Sequence, residues 1–189
     1  GTILHGKFLN AGQTCVAPDY TLVHEDVVED FINELQKTAT EMAADNTYES
    51  VSDFCRIINA KHHKRISDLI KDAEEKGAKV WMGGSSNSED NFLEPTLLSG
   101  VNDEMAIMKE EIFGPVLPIL TFKSLDDVCQ YINSNEKPLA LYLFTKSRST
   151  EHKVLKETSS GAFLVNEALI STVYKGMPFG GVNNSGIGK

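Results

Sequence analysis

Two kinds of hydrophobic spacing alternate along the chain. Val28, Phe31, Ile32, Leu35, Ala39 and Met42 recur at helical steps behind Glu25 and Asp26, whose charges suit the positive end of a helix dipole. Ile66, Leu69, Ile70 and Ala73 form a second stripe that closes on Lys76 and Gly77, a C-terminal stop. Val128, Tyr131 and Ile132 follow Ser124 as an N-cap, with Asp126 and Asp127 in the first turn. A fourth helix is predicted from Ser149 or Thr150, carrying Val154 and Leu155 to a stop at Gly161. Ahead of all these, a helical segment through Leu4 and Phe8 breaks at Gly12. The intervening runs at 20–23, 80–82, 116–122, 139–145 and 162–165 are short and rich in β-formers, and read as strands. Apolar strands separated by helices imply crossover connections. The expected fold class is α/β, a mostly parallel sheet with helices on both faces. No repeat and no long linker divides the chain, so residues 1–189 read as one domain. The stretch 176–188 holds five glycines and no charge, the composition of a loop whose backbone lies close to something.

Composition narrows the function classes. With 41% apolar and 24% charged residues the chain can bury a core. Its net charge of −9 is uneven: residues 1–139 hold 12 Lys/Arg against 24 Asp/Glu, and 140–189 hold 6 against 3. An acidic chain without a basic run interleaved with aromatics repels a phosphate backbone, which argues against nucleic acid as a partner. The short cluster Lys61-His62-His63-Lys64-Arg65 reads as a solvated helix face. No segment has the length of a membrane span, since the best run, 113–122, is interrupted by Pro115 and Pro118. Nothing in 1–11 resembles a signal peptide. Three cysteines without a Cys-x-x-Cys spacing fit neither a disulfide framework nor a zinc knuckle. A reducing, cytoplasmic setting and no metal site are the expectations. Cys55 and Cys129 fall on helical stripes and read as core.

Cys15 differs from the other two. It lies in Phe8-Leu9-Asn10-Ala11-Gly12-Gln13-Thr14-Cys15-Val16-Ala17-Pro18-Asp19-Tyr20, between a helix that ends at a glycine and a strand. A cysteine in such a loop is both fixed and reachable, which nucleophilic catalysis requires, and nearby backbone N–H groups favour its thiolate. Position alone leaves a small core hydrophobe as the competing reading.

The segment Phe8 to Ala17 resembles the active-site signature of the aldehyde dehydrogenase superfamily. That signature has an aromatic or aliphatic residue, three intervening residues, Gly-Gln-x-Cys, then an aliphatic and a small residue. Val16-Ala17-Pro18-Asp19-Tyr20 is similar to the class 3 and fatty-aldehyde branch, as is Arg56-Ile57-Ile58-Asn59 followed by His62. Glu110-Glu111-Ile112-Phe113-Gly114-Pro115-Val116 resembles the family's cofactor-facing motif, and Met177-Pro178-Phe179-Gly180-Gly181-Val182-Asn183-Asn184-Ser185-Gly186 its late glycine loop. The blocks come in family order across essentially the whole chain. Asn183 departs from the branch's usual glycine, and asparagine tolerates the positive φ a glycine there implies.

The resemblance implies an enzyme that oxidises an aldehyde to a carboxylic acid with NAD or NADP. Cys15 would be the nucleophile, passing through a thiohemiacetal and a thioester, with its own backbone N–H as one oxyanion donor. Glu111 would hold the nicotinamide ribose hydroxyls, Phe113 would lie against the nicotinamide ring, His62 would approach the cofactor and Phe179 would line the aldehyde tunnel. Without the motifs, Glu111 beside Glu110 and Lys109 is a solvated turn, Phe113 and Phe179 are apolar anchors, and His62 is a surface residue. Asn166 reads as a loop tie.

Two family motifs are missing. Neither the Glu-Leu-Gly-Gly block of the general base nor a Pro-Trp-Asn-like block, source of the second oxyanion donor, occurs in the sequence. No Gly-rich nucleotide-binding βαβ unit precedes Cys15. The chain is therefore expected to be a catalytic domain whose cofactor-binding domain and C-terminal segment lie outside it, and to be nearly inactive alone. The missing domain is then a partner, and the full-length protein has room to be a homodimer. Two other classes stay open: a Cys15 hydrolase or acyltransferase with a base among His5, His24, His62, His63 and His152, and a binding module without chemistry.

Overall fold

The computed structural model describes residues 1–44 and 47–187. Contacts group the chain into two compact units that divide in sequence between Thr121 and Phe122. The first unit holds α1 (Thr2–Phe8), β1 (Thr21–His24), α2 (Val28–Met42), α3 (Ala60–Glu75), β2 (Lys79–Met82), β3 (Ser86–Asn87), β4 (Phe92–Leu93), β5 (Thr96–Ser99) and β6 (Val116–Phe122), the last ending at the boundary. Four of these strands form one sheet in the order β1-β6-β5-β2. β5 and β6 run parallel, with Thr96 opposite Val116 and Ser99 opposite Ile119. β2 joins β5 antiparallel, with an irregularity between Val80 and Met82. β3 and β4 make a small antiparallel pair.

Neighbouring residues of a strand point to opposite faces, and the two cores follow that rule. Leu98 and Val116 belong to a cluster with Ile66, Leu69, Ile70 and Ala73 of α3. Leu97 and Leu117, the next residues along, belong to another cluster with Ile32, Leu35 and Ala39 of α2 and Leu4 and Phe8 of α1. The sheet is thus covered on both faces, as the spacing predicts. Asn59 starts α3 by accepting the His62 N–H at 2.9 Å, and Tyr48 and Phe54 extend an edge-to-face aromatic run from Phe8.

The second unit contains α4 (Leu125–Ser134), β7 (Ala140–Leu143), α5 (Arg148–Glu157), β8 (Ala162–Val165) and α6 (Ile170–Val173). β7 and β8 pair in parallel, with Ala140 opposite Ala162 and Leu143 opposite Val165, and α5 connects them. Ser124 and Asp127 form a reciprocal capping box at the start of α4, as the sequence indicates.

The structure corrects several expectations. β3, β4, β5 and α6 are additional elements, too short or too uniformly apolar to show a period. Leu155 is 54% exposed, and Val154 alone is the buried anchor of α5. Cys55 is exposed and lies outside any helix, because Phe54 and Ile57 take the inward positions of that segment. The basic cluster at the start of α3 is solvated only at Lys61, His62 and Lys64. His63 is buried with Nε2 2.8 Å from the Phe92 carbonyl oxygen, and Arg65 turns inward.

Candidate active site

The cysteine loop is built from an unusual run of backbone angles. α1 ends at Phe8, and Asn10, Ala11 and Gly12 all take left-handed conformations, with φ of 52°, 52° and 74°. That region costs an L-residue roughly 1–2 kcal/mol, so something must hold it. Gln13 and Asn10 do so reciprocally: the Asn10 Nδ2 donates to the Gln13 carbonyl, and the Gln13 N–H and Nε2 both donate to the Asn10 carbonyl. The Ala17 N–H then donates to the Thr14 carbonyl at 2.9 Å, making a turn around Cys15 and Val16. Val16 is buried and anchors the turn, leaving Cys15 exposed. Among the described residues none takes the Cys15 N–H, so that donor is open to a ligand oxygen.

A second loop meets the first at two glycines. An ideal Cβ on Gly12 would stand 2.1 Å from the Gly114 carbonyl oxygen, and one on Gly114 would stand 2.7 Å from Ile66 Cδ1. Only backbone fits between the loops, so the Cys15 segment lies directly on the segment that carries Glu111 and Phe113. Phe113 is itself left-handed at φ 49° and is 37% exposed as a residue. Its neighbours explain how so bulky a residue stays there. Ile112 is fully buried, its N–H donates to Asp19 Oδ1 at 3.1 Å, and the Arg65 guanidinium donates to the carbonyls of Glu111 and Ile112 and to Glu110 Oε1.

These residues form a charged group beneath the two loops. Lys7, only 1% exposed at the end of α1, has its pKa lowered to about 8 by burial, against the attraction of Asp19 and Glu111. Burial raises the Asp19 carboxyl, while Lys7, the Ile112 N–H and Arg65 pull it back. Glu111 is likewise raised, first by partial desolvation and then by Asp19, and opposed by Lys7 and Arg65. The carboxylate and cation types therefore answer one another across α1, the Asp19 segment, α3 and the Glu111 loop.

Of the residues singled out by sequence, Cys15, Glu111 and Phe113 lie on the two loops that meet at Gly12 and Gly114. His62 is exposed in the first turn of α3, one turn before Arg65. Phe179 lies in the second unit, its ring partly exposed in the glycine loop. There Gly181 packs so closely on Ser185 and Gly186 that a Cβ would overlap their backbone, and Asn183 takes a positive φ of 51°. Asn166 ties its loop to Thr145 through two hydrogen bonds of 2.9 Å. Among the described residues no histidine is hydrogen-bonded to Cys15. Lys7, Gln13, Asp19 and Arg65 belong to the site and are not evident from the pattern. The one signal for Lys7 is its spacing, three residues after Leu4 and next to Phe8, on the buried side of α1.

Comparison with known proteins matches residues 1–189 to the aldehyde dehydrogenase family. The 4,4'-diaponeurosporen-aldehyde dehydrogenase of Staphylococcus aureus (strain NCTC 8325 / PS 47) is 46% identical over 187 residues, 99% of this chain and 40% of its own length. A dimeric NADP-preferring aldehyde dehydrogenase of Canis lupus familiaris is 40% identical over 186 residues, 98% of this chain and 40% of its own. The substrate-bound structure of Staphylococcus aureus AldH superposes with a TM-score of 0.94 at 44% identity, covering 98% of this chain and 40% of that one. The chain spans about two fifths of the length of these relatives. Matched along its whole length in sequence, and in fold with a solved relative, the chain belongs to the aldehyde dehydrogenase family.

Proposed function

We propose that residues 1–189 form the nucleophile-bearing catalytic domain of an NAD(P)-dependent enzyme that oxidises an aldehyde to a carboxylic acid. The observation that carries this reading is the seating of the exposed Cys15 loop on the Glu111–Phe113 loop through Gly12 and Gly114. The nicotinamide group fits what that second loop presents: an exposed aromatic ring two residues from a carboxylate, both on a backbone braced from below. Glu111 would accept the ribose hydroxyls, Phe113 would lie flat against the ring, and His62 at the head of α3 would approach the same group. When bound, the nicotinamide supplies the acceptor for the hydride whose loss turns the cysteine adduct into a thioester.

The chain's own residues perform the covalent part. The Cys15 thiolate adds to the aldehyde carbon, and the Cys15 N–H takes the resulting oxyanion. Sulfur serves both halves, as a soft nucleophile and as a leaving group when water opens the acyl bond. Phe179 is assigned to the wall of the aldehyde tunnel. The cofactor-binding domain, the choice between NAD and NADP, a homodimeric state and a cytoplasmic setting belong to the same proposal. No helix among the described residues is long and apolar enough to cross a membrane.

The test is aldehyde-dependent NAD(P)H formation by the protein that carries this chain with a cofactor-binding domain. Cys15→Ala is expected to lower kcat by about a thousandfold or more, with cofactor binding retained. Full turnover in that variant would overturn the assignment.

A further inference from the structure

Gln13 lies two residues before Cys15, and its side-chain amide reaches out of the loop. Nε2 donates to the Arg56 carbonyl at 3.0 Å, and Oε1 accepts the Ile58 N–H at 2.9 Å. These are the carbonyl of one residue and the N–H of the residue two further on, the pair that a neighbouring β-strand would engage. The side-chain amide thus stands in for a peptide group against the extended segment before α3. Nε2 also donates to the Asn10 carbonyl, so the same nitrogen serves the left-handed run 10–12. The far segment is itself rigidly held. Arg56 donates to Asp90 and to the carbonyls of Phe54 and Glu49, and its guanidinium stacks 4.9 Å from the Phe92 ring centre.

We propose that Gln13 is the positioning residue for Cys15, tying the nucleophile loop to the Arg56–Ile58 segment so that the Cys15 N–H and sulfur face one reacting carbon. The inference rests on Cys15 being the nucleophile. On the other side of Cys15 the loop is held by the burial of Val16 and Pro18 and by Asp19, whose Oδ1 accepts the Ile112 N–H. These fix its depth, while on the near side Gln13 is the side chain that ties the loop to the Arg56–Ile58 segment. Loss of the amide therefore frees the direction of the Cys15 N–H without burying the sulfur.

Two reactions of Cys15 separate these effects. Acylation by p-nitrophenyl acetate forms a sulfur–carbon bond, passes through an oxyanion that the Cys15 N–H stabilises, and expels p-nitrophenolate, with the thiol proton lost to solvent. Alkylation by iodoacetamide forms a sulfur–carbon bond with departure of iodide and of the thiol proton and creates no oxyanion, so it reads the exposure and thiolate fraction of the sulfur without the oxyanion. Both are followed at Cys15 by peptide mass spectrometry on the whole chain, alongside the urea midpoint. Gln13→Ala is expected to slow acylation about tenfold while alkylation stays near its original rate. Gln13→Glu keeps the acceptor for the Ile58 N–H and loses the donors, and is expected to fall between.

Acylation and alkylation that change together, or neither changing, overturn the inference. So does loss of cooperative unfolding in both variants, which would make Gln13 a structural support only. If Cys15 in the unaltered chain acylates no faster than Cys55, the nucleophile reading fails and takes this inference with it. Fast acylation of Cys15 that survives both substitutions overturns the positioning role alone.

Discussion

Lys7, only 1% exposed, carries an ionisable group into the interior beneath the candidate site. Asp19 and Glu111 attract the charge of Lys7, and burial still wins, bringing its pKa from 10.5 to about 8. The folded state then binds fewer protons than the unfolded chain between pH 8 and 10.5, so the penalty of the buried charge is present in full below pH 8 and is lost as pH rises through that window. Relative to Lys7→Met, the unaltered chain is expected to gain about 2 kcal/mol between pH 7 and 9.5. Urea unfolding of both proteins at the two pH values checks it, and a constant difference would show that Lys7 is not the titrating group. Gly12 illustrates the opposite constraint, a position where the side chain must be absent because the space belongs to the Gly114 carbonyl.

Among the elements, α3 links the apolar core to the candidate site. Its inward stripe fills one face of the sheet, and its second turn places Arg65 beside the Glu111 loop. The Asn59 cap fixes where that helix begins. Asn59→Ala is expected to cost about 1 kcal/mol, read as a lower urea midpoint at unchanged slope. Much of this element was legible: the stripe from Ile66 to Ala73 and the stop at Gly77 follow directly from spacing. Its first turn was not, because Lys61 to Arg65 shows charge where the fold makes two inward contacts, through His63 and Arg65. β5 was invisible for a different reason. Its four residues, three of them fully buried between two strands, carry no alternation to read. Cys15, Glu111 and Phe113 entered the candidate site through motif resemblance. Asp19 and Gln13 lay inside or beside those motifs, yet their partners stand 93 and 45 residues away along the chain, a distance no local pattern reports.

For the molecule as a whole, the sequence contains neither the general-base motif nor the second oxyanion-donor motif of the family it belongs to. One oxyanion donor contributes about 3 kcal/mol to transition-state stabilisation, so the purified 189 residues are expected to show no aldehyde-dependent NAD(P)H formation while retaining reactivity at Cys15. An absorbance assay at 340 nm checks this, and sustained reduction of the coenzyme by these residues alone would mean that the missing groups are supplied from within 1–189. Both units carry parallel strand pairs, at β5–β6 and β7–β8, and both contain a glycine whose missing side chain admits a neighbouring carbonyl.

The contact between Gly12 and Gly114 has a consequence during synthesis. The thiol leaves the ribosome about a hundred residues ahead of the carbonyl that seats its loop, which at roughly 5–20 residues per second is a delay of about 5–20 s. Throughout that interval the left-handed run at 10–12 has no Gly114 backbone to rest on.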